Sequence, residues 1–211
     1  AGRLPSLPWW PYPAICRVAE VLPRDGVAVE FGTGSSTLWL ARRCARVHAF
    51  EGAPEWAQEV ERQARSLGLS NLTLVLRDST RYPDRGRYSD AFNEEVASFD
   101  GVDEPAVDLV VVDGAARFRC VENALPRLKP GGWLYLDNSD ADKDWYKNYV
   151  VAVWPKLVPG GCFTAHNVSG RGAGGGIPEF LAHLGSLPEA GTTIDTPSPA
   201  GVSVSWKRLT L

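Results

Sequence analysis

The chain has 211 residues, of which 44% are hydrophobic and 22% are charged, so it is long enough for one sizeable hydrophobic core. The formal net charge is −3 and no basic block occurs, which argues against nucleic acid and anionic membranes as partners. No apolar stretch approaches the roughly 20 residues of a membrane-spanning helix. Single, widely spaced cysteines predict buried thiols in a reducing, cytoplasmic compartment (Cys16, Cys44, Cys120 and Cys162).

The N-terminal segment is rich in proline and tryptophan as far as Pro13. Because proline disfavours the helix interior, we expect the first helix to begin at Ala14 and to continue to Leu22. Two alternatives are open for the adjacent Trp9 and Trp10: they cover the edge of the domain, or they line a pocket.

A Gly-rich turn follows the first predicted strand. The apolar run that begins at Val27 leads to Glu30, and Gly32 and Gly34 come directly after it. This pattern predicts a strand, a tight turn and a helix, the first half of a βαβ nucleotide-binding unit. A second predicted strand ends in Glu51, about twenty residues further on, where a carboxylate accepts hydrogen bonds from a ribose diol.

Helices and strands then alternate along the chain. After the strand from Val47 to Glu51, the predicted helices are Pro54–Gly68, Asp90–Phe99, Arg117–Leu128, Asp144–Leu157 and Ile177–Leu187. The remaining predicted strands are Leu72–Leu76, Val107–Asp113, Gly132–Asp137, Cys162–Asn167 and Gly201–Lys207. The sequence therefore predicts a single α/β domain over 1–211, with 1–25 packed on it. Its sheet is doubly wound, Rossmann-like, seven-stranded and mostly parallel, with helices on both faces and the last strand antiparallel.

These motifs resemble the class I S-adenosylmethionine-dependent methyltransferases, and the resemblance covers nearly the whole chain. It rests on the run from Glu30 to Thr37, on Glu51, Asp78 and Asp113-Gly114, and on the run from Leu128 to Asn138. Together with Pro8–Pro13 and Asp137–Asp140, these motifs are similar to a subgroup that methylates small molecules. The third glycine of the family's turn is replaced by Ser36, a small residue that still permits close approach.

The resemblance implies S-adenosylmethionine as cofactor and a set of residues that bind it. Glu51 would accept the ribose hydroxyls, Asp78 with Ser79 would meet the adenine, and Glu30 would support the turn or meet the ammonium group. The full implied cofactor set is Tyr12, Glu30, Gly32, Gly34, Ser36, Thr37, Glu51, Asp78, Ser79 and Asp113.

The same resemblance implies a candidate Mg²⁺ site made of Asp113, Asp137 and Asn138, similar to the set of catechol-type O-methyltransferases. Alternatively, Asp137 and Asn138 satisfy backbone donors at a turn. The stretch 124–138 also has a near copy 29 residues later. This copy supplies a rival set, Asp142, His166 and Asn167, in which His166 is a candidate general base. Asp113 and His166 are the candidate catalytic residues.

The sequence thus predicts methyl transfer to a small-molecule acceptor, with oxygen favoured and help from a divalent metal left open. A nicotinamide-dependent oxidoreductase would share the Gly-rich turn and Glu51, and a non-catalytic S-adenosylmethionine-binding protein is a third alternative. No nucleic-acid or membrane partner is expected, and the oligomeric state, a homodimer included, is left open. The glycine run at 170–176 is either a substrate lid or a plain connection.

Overall fold

The computed structural model describes residues 7–82, 90–104, 106–137, 151, 153–157, 162–166, 177–195 and 202–208. In these ranges the helices are α1 (Tyr12–Val21), α2 (Ser35–Ala41), α3 (Pro54–Ser66), α4 (Asp90–Val96), α5 (Arg117–Ala124) and α6 (Ile177–Ser186). The strands are β1 (Val27–Phe31), β2 (Arg46–Glu51), β3 (Leu72–Leu76), β4 (Val107–Val112), β5 (Leu128–Leu136), β6 (Cys162–His166), β7 (Ala190–Asp195) and β8 (Val202–Lys207). The fold is α/β and Rossmann-like.

The strands form one sheet with the order β3-β2-β1-β4-β5-β6-β8-β7. Strands β1 to β6 pair in parallel, whereas β8 runs antiparallel to both β6 and β7. The chain moves outward from β1 to β3 and then returns to place β4 on the other side of β1. In open α/β sheets a crevice forms at the carboxyl ends of the strands where the order reverses in this way. The crevice of this sheet therefore lies beyond β1 and β4.

Alternation along β1 divides its side chains between the two faces of the sheet. Val27, Val29 and Phe31 belong to a core cluster with residues of α5 and α6. Ala28 belongs to a second cluster, which contains residues of α1 and α2. Glu30 has the parity of Ala28, so its side chain is directed to the face that α1 and α2 cover.

The same alternation extends to the next two strands. Leu109 and Val111 of β4 and Tyr135 of β5 belong to the cluster with α1 and α2. Asp113 follows β4 and Asp137 follows β5 in the same alternation, so both side chains are directed to the face of the sheet that α1 covers. Three acidic side chains are thereby brought to one corner of the sheet.

Two predictions about elements were wrong. The sheet has a strand that the sequence did not predict, β7, which has Thr and Gly rather than alternating apolar residues and is defined by its ladder with β8. The first helix begins at Tyr12 rather than Ala14, because Pro13 occupies the first turn, where no intrahelical N–H bond is required of it.

Other predictions differ in extent or lie outside the described residues. The fifth strand begins at Leu128 rather than Gly132, with a register irregularity against β4. Of the predicted helix Asp144–Leu157, positions 144–150 and 152 lie outside the described residues. The glycine run at 170–176 also lies outside them. None of the described helices has the length and apolar character needed to cross a bilayer. Among the cysteines, Cys44 and Cys120 are buried, but Cys16 is exposed, contrary to the prediction.

Candidate active site

The turn after β1 is shaped by a close contact with the turn after β4. Gly32 has φ +87°, and a Cβ there would lie 2.8 Å from backbone atoms of Asp113 and Gly114. A Cβ on Gly114 would in turn lie 2.9 Å from the Gly32 nitrogen. Neighbouring parallel strands that both turn at the same height leave no room for a side chain at either position.

A buried hydrogen-bond relay connects β1 to the Gly-rich turn. The Thr37 hydroxyl donates to Glu30 Oε2 at 2.5 Å, and the backbone N–H of Gly34 donates to the same Thr37 hydroxyl oxygen at 2.9 Å. Glu30 is fully buried, and among the described residues its Oε1 has no hydrogen-bond partner. Glu30 therefore acts on the turn from below, through Thr37, and fixes the position of Gly34.

Burial decides the charge of Glu30. Removal from water raises the pKa of this carboxyl from 4.5 to about 8, with smaller raising contributions from Asp113 and Glu51, while the nearby hydroxyls of Ser36 and Thr37 oppose the rise. The carboxyl is therefore mainly protonated at neutral pH. This explains how it persists in a core without an ionic partner.

The substitution Glu30→Gln is expected to remove the pH dependence that the Glu30 carboxyl gives to the free energy of unfolding. Because the folded-state pKa is raised, the stabilisation from neutral Glu30 is complete below about pH 4.5 and is lost as pH rises through about 8. The free energy of unfolding of the original protein should fall by up to about 1.4 kcal/mol per pH unit across this window relative to the variant. Urea unfolding at pH values spanning the window measures both proteins, and parallel curves would contradict the assignment.

Glu51, at the end of β2, holds the turn from the side. Its Oε2 accepts the backbone N–H of Thr33 at 2.8 Å and the Thr33 hydroxyl at 2.7 Å. Its Oε1 accepts the N–H groups of Gly52 and Ala53 at 2.8 and 2.9 Å. All four acceptor positions of the carboxylate are thus occupied by the protein itself. A ribose diol can be accepted only if some of these bonds are released.

The indole of Trp56, in the first turn of α3, donates to the carbonyl oxygen of Thr33. Thr33 is thereby held by Glu51 through its N–H and hydroxyl and by Trp56 through its carbonyl. The sequence predicted Trp56 on the buried inner face of α3, but its side chain is 43% exposed. Val60 and Ala64 form that inner face.

Two cavities flank the turn. The smaller, of about 260 Å³, has an apolar wall with Phe31, Phe50 and Phe92 and polar groups at Glu51 and Ser79. The larger, of about 370 Å³, contains the three indoles of Trp9, Trp10 and Trp56. Its remaining lining residues are Thr33, Gly34, Ser35, Ser36, Glu59, Val60, Gln63 and Asp113. We call this larger space the Trp-lined cavity.

Both alternatives for the adjacent tryptophans are observed. Trp10 is buried and covers the sheet, with its ring centroid 4.5 Å from Tyr135 and 6.0 Å from Trp39. Trp9 is 83% exposed. Both residues line the Trp-lined cavity.

Strand register brings three predicted residues to one height. Val112 pairs with Leu136, and Leu136 pairs with Ala165, so the residues that follow, Asp113, Asp137 and His166, end three adjacent strands side by side. The pairing of β5 with β6 has an offset of 29 residues throughout, the same as the sequence repeat. His166, from one of the two ligand sets that the sequence offered as rivals, therefore ends the strand next to that of Asp137, from the other set. Asn138, Asp142 and Asn167 lie outside the described residues.

The two carboxylates in this row have different partners. Arg117 Nη2 lies 3.5 Å from Asp113 Oδ1, so a cation adjoins that carboxylate. Asp137 is buried, and its Oδ1 accepts the Tyr135 hydroxyl at 3.2 Å. Burial and the carboxylates of Asp137 and Asp113 raise the pKa of Tyr135 well above its ordinary value, so the phenol stays protonated and donates.

Four residues of the implied cofactor set line neither of these cavities: Glu30 and Thr37, which form the buried relay, and Tyr12 and Asp78. Tyr12 is exposed at the start of α1, because Ala14, Ile15 and Val18 define the buried face of that helix. Asp78 accepts the N–H and hydroxyl of Thr80 at 2.9 and 2.6 Å and caps a short 3-10 turn. These bonds, and to a smaller extent Arg81, lower the pKa of Asp78. Its neighbour Ser79 lines the smaller cavity.

Several residues at the site were not predicted from the sequence. Phe92 and Val96 come from a helix in a polar stretch, and Trp56, Glu59 and Gln63 come from α3. The only available signal was that α3 begins directly after Glu51, so that its first turns must lie beside the Gly-rich turn. No comparable signal pointed to Arg117.

Comparisons with known proteins agree with this geometry. A family model described as a methyltransferase domain matches residues 29–139, which is just over half of the chain. Among curated protein sequences, none is significantly similar.

Solved structures with a similar fold include three with TM-scores above 0.5. A precorrin 8w decarboxylase from Methanobacterium thermoautotrophicum has a TM-score of 0.52 at 18% identity, over 93% of this chain and 88% of that one. An rRNA methylase from Streptococcus thermophilus has a TM-score of 0.51 at 15% identity, over 97% of this chain and 100% of that one. A candidate methyltransferase from Streptococcus mutans, in complex with SAH, has a TM-score of 0.51 at 13% identity, over 90% of this chain and 93% of that one. At these identities the likeness shows the fold alone.

Proposed function

We propose that this chain methylates a small-molecule acceptor on oxygen. The chain belongs to the methyltransferase domain family and is an S-adenosylmethionine-dependent methyltransferase. Family membership removes the nicotinamide-dependent oxidoreductase as an alternative. The observation that carries the proposal is the pair of cavities on either side of one Gly-rich turn. The smaller suits a nucleoside, and the larger suits an acceptor of a few hundred Å³.

The described residues fit the cofactor. An aromatic wall beside a carboxylate, as in the smaller cavity, suits a purine and its ribose, with Glu51 as the acceptor for the diol. The turn leaves space on its other side, because a Cβ on Gly34 would meet only Trp56, at 4.0 Å. We propose Gly32, Gly34, Ser36 and Thr37 as the cradle of the cofactor's methionine end, which would meet the Trp-lined cavity at the wall formed by Gly34 and Ser36, and Ser79 as a contact near the base. Tyr12 and Asp78 remain untested predictions.

The bound cofactor supplies a methyl group on a positively charged sulfur, and the acceptor oxygen must approach it in line. Much of the acceleration of such a reaction comes from holding the partners in this geometry. In this chain the orientation is set by residues that are themselves fixed: Gly34 by Thr37 and Glu30, and Trp10 by Tyr135. Trp9, Trp10 and Trp56 line the larger cavity, where they provide apolar contact for the acceptor.

An oxygen acceptor must also lose its proton, and we propose Asp113 and His166 for this task. Asp113 lines the Trp-lined cavity, where it can accept a hydrogen bond from the acceptor hydroxyl. Histidine is the side chain that most readily takes up a proton near neutral pH, and the register supports its position beside Asp113 and Asp137. His166→Gln and Asp113→Asn should each lower kcat by about 100-fold, and His166→Gln should change SAH affinity by no more than about threefold.

One described contact opposes assistance by Mg²⁺ through Asp113, Asp137 and Asn138, the last of which lies outside the described residues. The guanidinium of Arg117 occupies one side of Asp113 and would repel a divalent ion. We therefore expect methyl transfer to continue undiminished in excess EDTA. A loss of activity that Mg²⁺ restores would contradict this expectation and would support the ligand set implied by the resemblance.

The proposed function is tested by methyl release from labelled S-adenosylmethionine across a panel of small alcohols, phenols, amines and RNA. Transfer to a hydroxyl compound is expected. Transfer to RNA alone would overturn the small-molecule proposal, and transfer to amines alone would overturn oxygen as the acceptor atom. Calorimetric titration with SAH and with NAD provides a separate control, in which only SAH should bind.

A further inference from the structure

We infer that the Trp-lined cavity binds a planar aromatic acceptor without net charge, with the exposed ring of Trp9 as its main determinant of specificity. This inference rests on the proposed function and specifies its substrate class. It draws on the exposure of the indoles, on the pairing of the charges and on the size of the cavity.

Trp10 and Trp56 reach the cavity from opposite sides of β1. Trp10 lies over Tyr135 of β5, at a centroid distance of 4.5 Å, and Trp56 follows β2 along the chain. Trp10 is 5% exposed and is fixed, whereas Trp9 and Trp56 are 83% and 43% exposed. Large aromatic rings left in water beside a cavity mark a surface that a ligand can cover. A flat ring suits them best, because aromatic pairs gain from stacked or edge-on contact beyond the area they bury.

The charged side chains of the lining already have partners. Glu59 accepts Arg62 at 2.5 and 2.8 Å and the Gln63 amide at 2.7 Å. Asp113 lies 3.5 Å from Arg117. A cationic ligand would therefore compete with arginine for either carboxylate, and an anionic ligand would meet both carboxylates. The pairing favours a neutral ligand.

The size and the polar edge of the cavity complete the description. A volume of about 370 Å³ suits a one- or two-ring compound. The Ser35 and Asp113 side chains are polar lining groups, able to orient a hydroxyl on the ring. A neutral, hydroxylated aromatic compound satisfies each of these features.

The test uses pairs of acceptors matched in size, phenols against cyclohexanols and naphthols against decahydronaphthols, with cyclohexylamines as cationic members. Methyl transfer is followed with labelled cofactor, and binding to the SAH-loaded protein is measured by calorimetry, so that binding is seen even without turnover. Planar members should be preferred by about tenfold or more in kcat/KM. A preference for saturated or cationic members would overturn this inference and leave the proposed function standing, whereas exclusive transfer to RNA would overturn both.

Variants at Trp9 provide the second readout. Trp9→Leu should raise KM for the planar acceptors by about tenfold and leave SAH affinity unchanged, while Trp9→Phe should retain most of the affinity. Leu7→Ala is the matched control, since Leu7 is exposed in the same segment and lines neither cavity. Trp56 is unsuitable as the first target because its indole also holds Thr33. Equal KM values for Trp9→Leu and the control would overturn the role of Trp9.

Discussion

Gly32→Ala should destabilise the protein by about 3 kcal/mol or more, one of the largest effects of any single methyl group in this chain. The added Cβ would lie 2.8 Å from the backbone at Asp113 and Gly114, at a φ of +87° that L residues rarely adopt. Backbone atoms of two adjoining strands cannot yield as a flexible side chain can. Urea unfolding, with the midpoint compared at equal slope, measures the loss.

Gly34→Ala is the matched control for this prediction. The same methyl group, two residues along, would meet only Trp56 at 4.0 Å, and the φ of 172° is open to any residue. Stability should therefore change by less than about 1 kcal/mol, while the methyl group enters the Trp-lined cavity and weakens ligand binding. A Gly32→Ala midpoint equal to that of Gly34→Ala would contradict the close contact between the two turns.

The second large effect is expected at Glu51. Glu51→Gln should weaken SAH binding by about 100-fold, because an amide cannot accept two charge-assisted hydrogen bonds from a ribose diol. Thr33→Val should act in the opposite direction and tighten SAH binding by about three- to tenfold. Its hydroxyl donates to Glu51 Oε2 at 2.7 Å, and this bond must be released before the diol can bind.

The two variants together separate structure from binding. Both remove a contact between Glu51 and the turn, so a loss of turn structure alone would weaken binding in both. Only Glu51→Gln removes the acceptor for the diol. Calorimetric titration with SAH measures the affinities, and urea unfolding reports the stability of each variant. Weaker binding by Thr33→Val would show that its hydroxyl supports the bound cofactor rather than competing with it.

Local patterns were enough to predict most elements around the site. The apolar run before Glu30, the glycines after it and the acid at the end of β2 are features of neighbouring residues, and they correctly predicted strand, turn and helix. The alternation of β1 also implies that Glu30 points away from the face of Val29. The sequence alone could not show what lies there, because Thr37 reaches Glu30 only after α2 packs on the sheet.

What the sequence missed depends on contacts between distant segments. Gly114 matters because it touches Gly32, 82 positions away in the chain, and Arg117 matters because α5 begins beside Asp113. Trp56 has the spacing of a buried helix residue, yet a carbonyl on the turn holds it at the surface. The strand β7 has no alternating pattern of apolar residues in its sequence. It is a strand because it forms hydrogen bonds with β8. Tertiary packing overrides local preference in each of these cases.

The equality of the 29-residue sequence repeat and the pairing offset of β5 with β6 has a consequence for how this sheet tolerates change. One repeat length separates each residue of β5 from the residue of β6 with which it pairs. We expect insertions or deletions between the two strands to leave this pairing unchanged. A single-residue deletion inside Cys162–Ala165 would instead shift the register of β6 against β5 by one residue, and His166 would no longer lie at the level of Asp113 and Asp137 in the sheet.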